Sequence, residues 1–224
     1  MKYEWIFFDA DETLFHFDAF QGMQLMFKRK GITFTEQDFA DYQAINKPLW
    51  VDYQNGDISA EQLKHIRFEG WANKLGTTPS ELNSAFLEAM ADICSVLPGA
   101  KELMEAIAGK AKVGIITNGF TDLQEIRLAR TGMDKYVEQV IISEQVGIAK
   151  PDTIIFEHAL NRVGNPCKSK VLMVGDNLHS DILGGLNSGL ETCWLNSHGA
   201  TATDGITPHY TVSSLSELQA ILLA

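Results

Sequence analysis

The sequence predicts an α/β protein in which a parallel sheet, covered by helices on both faces, is interrupted by a helical insertion. Three observations carry this expectation. From Pro98 onward, short continuous apolar runs alternate with amphipathic segments, the pattern of buried parallel strands joined by crossover helices. One further run, Trp5-Ile6-Phe7-Phe8, stands near the start of the chain. Between it and Pro98 the texture is helical only.

Taken in order, the first strand covers residues 5–8, and the helical insertion begins near Phe17 and ends near Ser95. That division gives a core domain of residues 1–16 and 96–224 and an inserted domain of residues 17–95. Inside the insertion, Thr35 reads as an N-cap, Ser59-Ala60-Glu61-Gln62 as a capping box, and Thr78-Pro79-Ser80-Glu81 as a capping box with proline at the first helical position. Gly31, Gly56 and Gly76 fall where the preceding helices should stop. Leu82, Phe86, Met90 and Ile93 recur at helical spacing, so a bundle of about four helices is expected. Beyond Pro98 the apolar runs at 113–116, 140–142, 171–174, 192–195 and 210–212 read as strands. The segments 121–131, 152–163 and 180–187, with a last one after Ser214, read as helices. Met23, Met26, Met90 and Met104 read as core filler.

Composition narrows the function classes. Of 224 residues, 45% are hydrophobic and 21% charged, ordinary values for a folded domain, so disorder and collagen-like repetition are excluded. The 18 Lys and Arg against 29 Asp and Glu give a formal charge of -11, a field that repels nucleic acid polymers. Small phosphates remain admissible, because a metal ion and one or two placed cations reverse the sign inside a cleft. Cys94, Cys167 and Cys193 are odd in number and far apart, which suggests reduced thiols and neither a disulfide framework nor a zinc site. The opening apolar run reaches Asp9 and Asp11 too soon for a signal segment, and no later stretch is long enough to span a bilayer. A cytoplasmic protein with no membrane partner is the expectation.

Four segments carry chemistry, and each lies past the carboxyl end of an expected strand or at the start of a helix, the edge where open parallel sheets bind ligands. They are Asp9-Ala10-Asp11-Glu12-Thr13, Thr117-Asn118, Lys150-Pro151 and the run from Gly175 through Asp176 to Asp181. Singly, each has a plain alternative: loop carboxylates, a helix cap, a solvated lysine, a first-turn acid. Together, at one edge of one sheet, they form a set of hard oxygen ligands suited to Mg2+, with donors for phosphoryl oxygens beside them.

The set Asp9-x-Asp11-x-Thr13, Thr117, Lys150 and Gly175-Asp176-x-x-x-x-Asp181 resembles the four signature motifs of the haloacid dehalogenase-like hydrolase superfamily. The likeness covers nearly the whole chain and includes an inserted helical cap of the C1 type on a Rossmann-like core. The segments FFDADETLF, NKPLWVDYQNGDIS, GIITNGF and VGDNLHSDILGGLNSGL are similar to the bacterial pyrimidine 5'-nucleotidase branch, which hydrolyses noncanonical deoxynucleoside monophosphates. Many relatives carry glycine where this chain has Glu12.

The resemblance implies a role for each motif residue. Asp9 would attack phosphorus, ionised at neutral pH because a free aspartate titrates near about 3.9. Asp11 would protonate the departing ester oxygen and then deprotonate the hydrolytic water. Asp9 and Asp176, with the backbone carbonyl of Asp11, would hold Mg2+, or Mn2+ in its place, and Asp181 would hold metal-bound water. Thr117, the Asn118 amide and Lys150 would bind the phosphoryl group. The presence of Asp11 points to ester hydrolysis or phosphomutase chemistry rather than dehalogenation.

The substrate expected is a pyrimidine nucleoside monophosphate, and the protein is expected to be a monomer or weak homo-oligomer. Asn46, Leu49, Trp50 and Tyr53 fall on one helix face of the insertion, and Asn46, Trp50 and Tyr53 are the candidates for reading the base. The seam of a helical bundle would give the same stripe. A sugar-phosphate or phosphoglycolate phosphatase, or a phosphomutase, is the alternative within the superfamily. A phospho-receiver domain is the alternative from another class, opposed by the helical insertion directly after the first strand.

Overall fold

The computed structural model describes residues 1–202 and 205–224. In chain order the elements are β1 (Trp5–Phe8), β2 (Phe15–His16), α1 (Ala19–Arg29), α2 (Glu36–Asn55), α3 (Ala60–Leu75), α4 (Pro79–Asp92), β3 (Ser95–Val96) and α5 (Ala100–Ile107). There follow β4 (Lys112–Thr117), α6 (Thr121–Thr131), β5 (Val137–Ile142), α7 (Ser143–Val146), α8 (Thr153–Arg162), β6 (Val171–Gly175), α9 (Gly184–Asn187), β7 (Glu191–Leu195), β8 (Tyr210–Val212) and α10 (Leu215–Leu223). They form two compact units. The first comprises Met1–His16, Ser95–Gly119 and Leu128–Ala224, and the second Phe17–Cys94 and Phe120–Arg127.

The first unit is built on a six-stranded sheet of order β5-β4-β1-β6-β7-β8, every pairing parallel. Numbered within the sheet by chain order this is 3-2-1-4-5-6, the doubly wound order, and its direction reverses between β1 and β6. That reversal opens a crevice at the carboxyl ends of these two strands, just beyond Phe8 and Gly175. The expected alternation of strands and helices is therefore observed. β1 is buried at all four positions, as a central strand covered on both faces must be. Trp5 and Phe7 stack at 5.6 Å and join Ile155, Phe156, Leu160 and Met173 in one core cluster against α8. Gly114 in β4 has a reason: a Cβ there would overlap the Phe7 ring.

Three features depart from the sequence expectation. A two-residue antiparallel ribbon pairs Phe15 with Val96 and His16 with Ser95, where the chain leaves and re-enters the first unit. α5 carries no local start signal: it begins after Gly99 without a side-chain cap, and its buried Ala100, Leu103, Met104 and Ile107 mark its inner face. The helix expected at 180–187 opens instead as a π turn over Leu178–Leu183, because the Asn177 side chain accepts from both the His179 and the Ser180 N–H.

The second unit is a helical bundle whose ends follow the sequence signals. Thr35 with Asp38, Ser59 with Gln62, and Thr78 with Glu81 form reciprocal capping boxes, and Gly56 and Gly76 close α2 and α3 in the left-handed conformation. Its interior is aromatic, with Phe27 stacked on Phe34 at 4.7 Å and Phe68 near Phe86 at 5.9 Å. Phe120–Arg127 groups with this bundle because the Phe120 ring lies 5.4 Å from that of Trp50, with Lys64 and Arg67 beside it. The four methionines are buried as expected, and the three cysteines are free. Among the described residues no helix is long and apolar enough to cross a membrane.

Candidate active site

Asp9, Thr117 and Asp176 reach the carboxyl edge of the sheet because the strand that carries or precedes each of them ends there. The Asp9 N–H donates to the Val174 carbonyl at 2.8 Å, so the β1–β6 pairing continues one step past the strand and fixes the Asp9 backbone. The chain then turns tightly: Leu14 and Phe15 both donate to the Ala10 carbonyl, at 3.0 and 2.9 Å, and Asp11 bridges to Phe15. Glu12 sits in this turn at φ 54, a left-handed conformation that costs a side-chain-bearing residue and suits glycine. Its carboxylate lies 3.1 Å from His16 Nδ1.

Lys150 is the centre of the cluster. It is 1% exposed, and its Nζ lies 2.7 Å from Asp9 Oδ1 and 2.6 Å from Asp181 Oδ1. Asp181 is equally enclosed: Oδ1 also accepts from the Ser180 hydroxyl at 3.1 Å, and Oδ2 accepts from the Asn177 N–H at 3.0 Å. Asp176 is held at three points. Its N–H donates to Thr13 Oγ1 at 3.1 Å, the Thr13 hydroxyl donates to its Oδ1 at 3.3 Å, and its carbonyl accepts from the Trp194 indole N–H at 2.8 Å. One carboxylate oxygen from each of Asp9, Asp176 and Asp181 lies within 4.8 Å of the others. Thr117 ends β4 with its Oγ1 accepting from the Gly119 N–H at 3.0 Å, which leaves the hydroxyl proton to donate elsewhere.

Residues 3–189 match the model of the haloacid dehalogenase-like hydrolases. The chain belongs to that family. This hydrolase is 60% identical over 222 residues to pyrimidine 5'-nucleotidase YjjG of Escherichia coli, covering 99% of both chains. It is 34% identical over 227 residues to pyrimidine 5'-nucleotidase PynA of Streptococcus pneumoniae, covering 97% of this chain and 94% of PynA. The structure of the HAD-hydrolase YfnB from Bacillus subtilis bound to magnesium matches with a TM-score of 0.85 at 27% identity, over 99% of each chain.

The electrostatics of the hydrolase site correct one sequence expectation. Asp9 does not behave as a free aspartate: burial, reinforced by Asp181, Asp11 and Asp176 and opposed by Lys150, pushes its carboxyl up to about 8. Burial and Asp181 likewise push Asp176 up to about 6, against the pull of its backbone hydrogen bond, Lys150 and Thr13. Burial works against the charge of Lys150, but Asp181 and Asp9 outweigh it and hold the ammonium protonated. One cation against three clustered carboxylates leaves excess negative charge, so Asp9 ionises readily at neutral pH only when further positive charge arrives. These are hard oxygen donors close enough to share one ion, and they fit Mg2+.

The structure thus gathers Asp9, Lys150, Asp176 and Asp181, places Asp11 in the turn after β1 and Thr117 at the end of β4, and adds partners the sequence did not reveal. Asn118, expected only as a backbone amide, clamps Lys150 with its side chain: Nδ2 donates to the Lys150 carbonyl at 2.9 Å, and Oδ1 accepts the Lys150 N–H at 2.8 Å. Trp194 could have been found from its place on β7, whose end lies on the same sheet edge; Ser180 and the Asn118 clamp carried no comparable signal. In the second unit Leu49 and Tyr53 are buried, Trp50 and Asn46 half-buried, and the Trp50 ring meets that of Tyr53 edge-on at 5.8 Å. Asn46 accepts from the Tyr42 hydroxyl at 3.2 Å.

Gly175 is required by Asp181, since a Cβ at that position would overlap the Asp181 side chain, which is pinned on both oxygens. Gly175→Ala is expected to cost about 1–3 kcal/mol by forcing a packed group aside. It should also weaken Mg2+ binding. Denaturant unfolding and a metal titration of the same variant check both effects.

Proposed function

We propose that this hydrolase is a Mg2+-dependent 5'-nucleotidase that cleaves pyrimidine nucleoside monophosphates through an aspartyl-phosphate. The observation that supports the chemistry is Lys150 lodged between Asp9 and Asp181 beside Asp176, at the crevice where β1 and β6 part. Likeness to the Escherichia coli pyrimidine 5'-nucleotidase supports the substrate class.

Asp9, Asp176 and the Asp11 carbonyl would hold the ion, with Asp181 on its bound water. When bound, Mg2+ supplies the positive charge that favours ionised Asp9 and offsets the charge of the phosphate dianion. An Asp9 carboxylate oxygen then forms a bond to phosphorus while the bond to the nucleoside 5'-oxygen breaks and Asp11 delivers a proton to that oxygen. In the second half Asp11 takes a proton from water, the water oxygen attacks phosphorus, and the bond to Asp9 breaks to release inorganic phosphate. The Thr117 hydroxyl, the Asn118 N–H and the Lys150 ammonium donate to phosphoryl oxygens throughout. Selection among monoesters is assigned to the second unit, through Asn46, Trp50 and Tyr53. The reading includes action in the cytoplasm, as a monomer or weak homo-oligomer, on a small-molecule substrate.

Phosphate release across a panel of monoesters, with and without Mg2+, tests the proposal. Pyrimidine monophosphates should lead and excess EDTA should abolish turnover; sugar phosphates outrunning them, or full activity in a demonstrably metal-free preparation, would overturn it. A second readout needs no substrate. Asp9 and Asp176 have folded-state values above the ordinary carboxyl range, so their contribution to stability is present at low pH and is lost as pH rises through about 6 and then about 8. The melting temperature of the metal-free protein should therefore rise from pH 8 to pH 6. Saturating Mg2+, which favours the ionised carboxylates, should flatten that slope.

A further inference from the structure

The direction in which a backbone aims its side chain is set by two dihedrals, because each flanking peptide is a rigid plane. For Asp176 both planes are pinned. The peptide before it donates through the Asp176 N–H to Thr13 Oγ1 at 3.1 Å, and the peptide after it accepts, at the Asp176 carbonyl, from the Trp194 indole N–H at 2.8 Å. That second peptide has another end. Its N–H belongs to Asn177 and donates to Asp181 Oδ2 at 3.0 Å, while Asp181 Oδ1 accepts from Lys150 Nζ at 2.6 Å and the same ammonium donates to Asp9 Oδ1 at 2.7 Å. A continuous chain of hydrogen bonds therefore runs from Trp194 through the 176–177 peptide to Asp181, Lys150 and Asp9. Donation to a carbonyl polarises its peptide and strengthens the bond that the N–H of that peptide makes in turn.

Trp194 is placed and built for this contact. It stands in β7 opposite Gly175, on the last rung of the β6–β7 ladder and one residue short of Asp176. The residue is 5% exposed, and the only polar atom of its side chain is a donor, directed to this carbonyl. A buried indole finds a hydrogen-bond partner in any fold. Here the partner is the peptide shared by two of the three clustered carboxylates, which carries Asp176 on one side and holds Asp181 with its N–H on the other.

We propose that Trp194 is a positioning residue for the cation site: its indole N–H locks the Asp176–Asn177 peptide and so aims the Asp176 and Asp181 carboxylates at one Mg2+. The inference rests on the Mg2+ reading above and requires no contact between Trp194 and the ion or the substrate.

Calorimetric titration of the metal-free protein with Mg2+ tests it. Trp194→Phe keeps a buried ring and removes the donor, and its Mg2+ dissociation constant should rise about tenfold to a hundredfold, the usual cost of losing a group that orients a metal ligand. The Mg2+ concentration for half-maximal turnover should rise by the same factor. A merely structural role for Trp194 would lower the melting temperature and leave the dissociation constant unchanged, and that result overturns the inference. A second measurement uses the wild-type protein and decides the case if the variant does not fold. With 15N in the indole rings, Trp5, Trp50, Trp71 and Trp194 each contribute one N–H signal, and Trp5→Phe, Trp50→Phe and Trp71→Phe identify that of Trp194 by elimination. The Trp194 signal should shift along the same curve as Mg2+ binding; a signal that stays in place at saturation overturns the inference. Wild type that binds no Mg2+ would remove the metal reading and the inference together, whereas wild type that binds Mg2+ and leaves pyrimidine monophosphates uncut would remove the nucleotidase reading alone.

Discussion

Asp9→Asn should abolish turnover and, in metal-free buffer at pH 8, raise the melting temperature. The two effects have one cause. The Asp9 carboxylate is buried beside Asp11, Asp176 and Asp181 with a single ammonium among them, so the folded state binds a proton there that the unfolded chain releases. Each unit of upward displacement costs about 1.4 kcal/mol above the titration range. Asparagine keeps an acceptor for Lys150 and carries no charge, so a gain of at least about 1 kcal/mol, or roughly 2–4 °C, is expected. The amide is no nucleophile, and kcat should fall by on the order of 10⁴-fold or more, with no phosphoenzyme formed. Asp11→Asn should behave differently: about 10²–10⁴-fold is lost from steps that move a proton, and an aryl phosphate with a good leaving group should lose less in its first step than a nucleotide. Single-turnover kinetics separates the two. Equal first-step losses on both substrates would remove Asp11 from the acid role, and a fall in the melting temperature of Asp9→Asn would show that the Lys150 contact outweighs the carboxylate repulsion.

The site was largely legible because it sits where strands end. A run such as Trp5-Ile6-Phe7-Phe8 announces a buried strand by composition alone, and a carboxylate directly after it must emerge at the carboxyl edge; the same holds for Ile116 before Thr117 and for Val174 before Gly175 and Asp176. The bundle was legible for a different reason, since capping boxes and left-handed glycines act within four residues and need no tertiary information. What escaped depends on distant parts of the chain. The Asn118 clamp joins residues 32 apart, and the Trp194 hydrogen bond reaches back 18, so neither has a local signature. The π turn arises because Asn177 and Asp181 bend the chain toward each other, which helical periodicity does not encode. The ionisation of Asp9 departs from the free-aspartate value for the same reason: that value omits the burial and the three neighbouring carboxylates that only the fold assembles.

Lys150→Met is expected to be the most destabilising single change at the site. The ammonium is fully enclosed and bonded to two carboxylates, Asp9 at 2.7 Å and Asp181 at 2.6 Å, while its backbone is fixed by Asn118. Methionine fills a similar volume, so the packing survives and the electrostatic loss is isolated. Two buried carboxylates are left without their cation, which costs about 3–5 kcal/mol for a broken buried pair, or roughly 6–20 °C in melting temperature for a chain of this size. The pH dependence has a definite sign. With Lys150 gone, Asp9 is displaced further upward, so the variant should approach wild-type stability as pH falls and lose it as pH rises through neutrality. Mg2+ should restore part of the stability by returning positive charge to the same carboxylates, and little of the activity, because the donor to the phosphoryl oxygens is still absent. Thermal melts from pH 5 to pH 8, with and without Mg2+, read all of this at once. A variant that melts like wild type at pH 8 without metal would mean that the carboxylates are neutralised by some group other than Lys150, and the charge balance drawn for the site would fall.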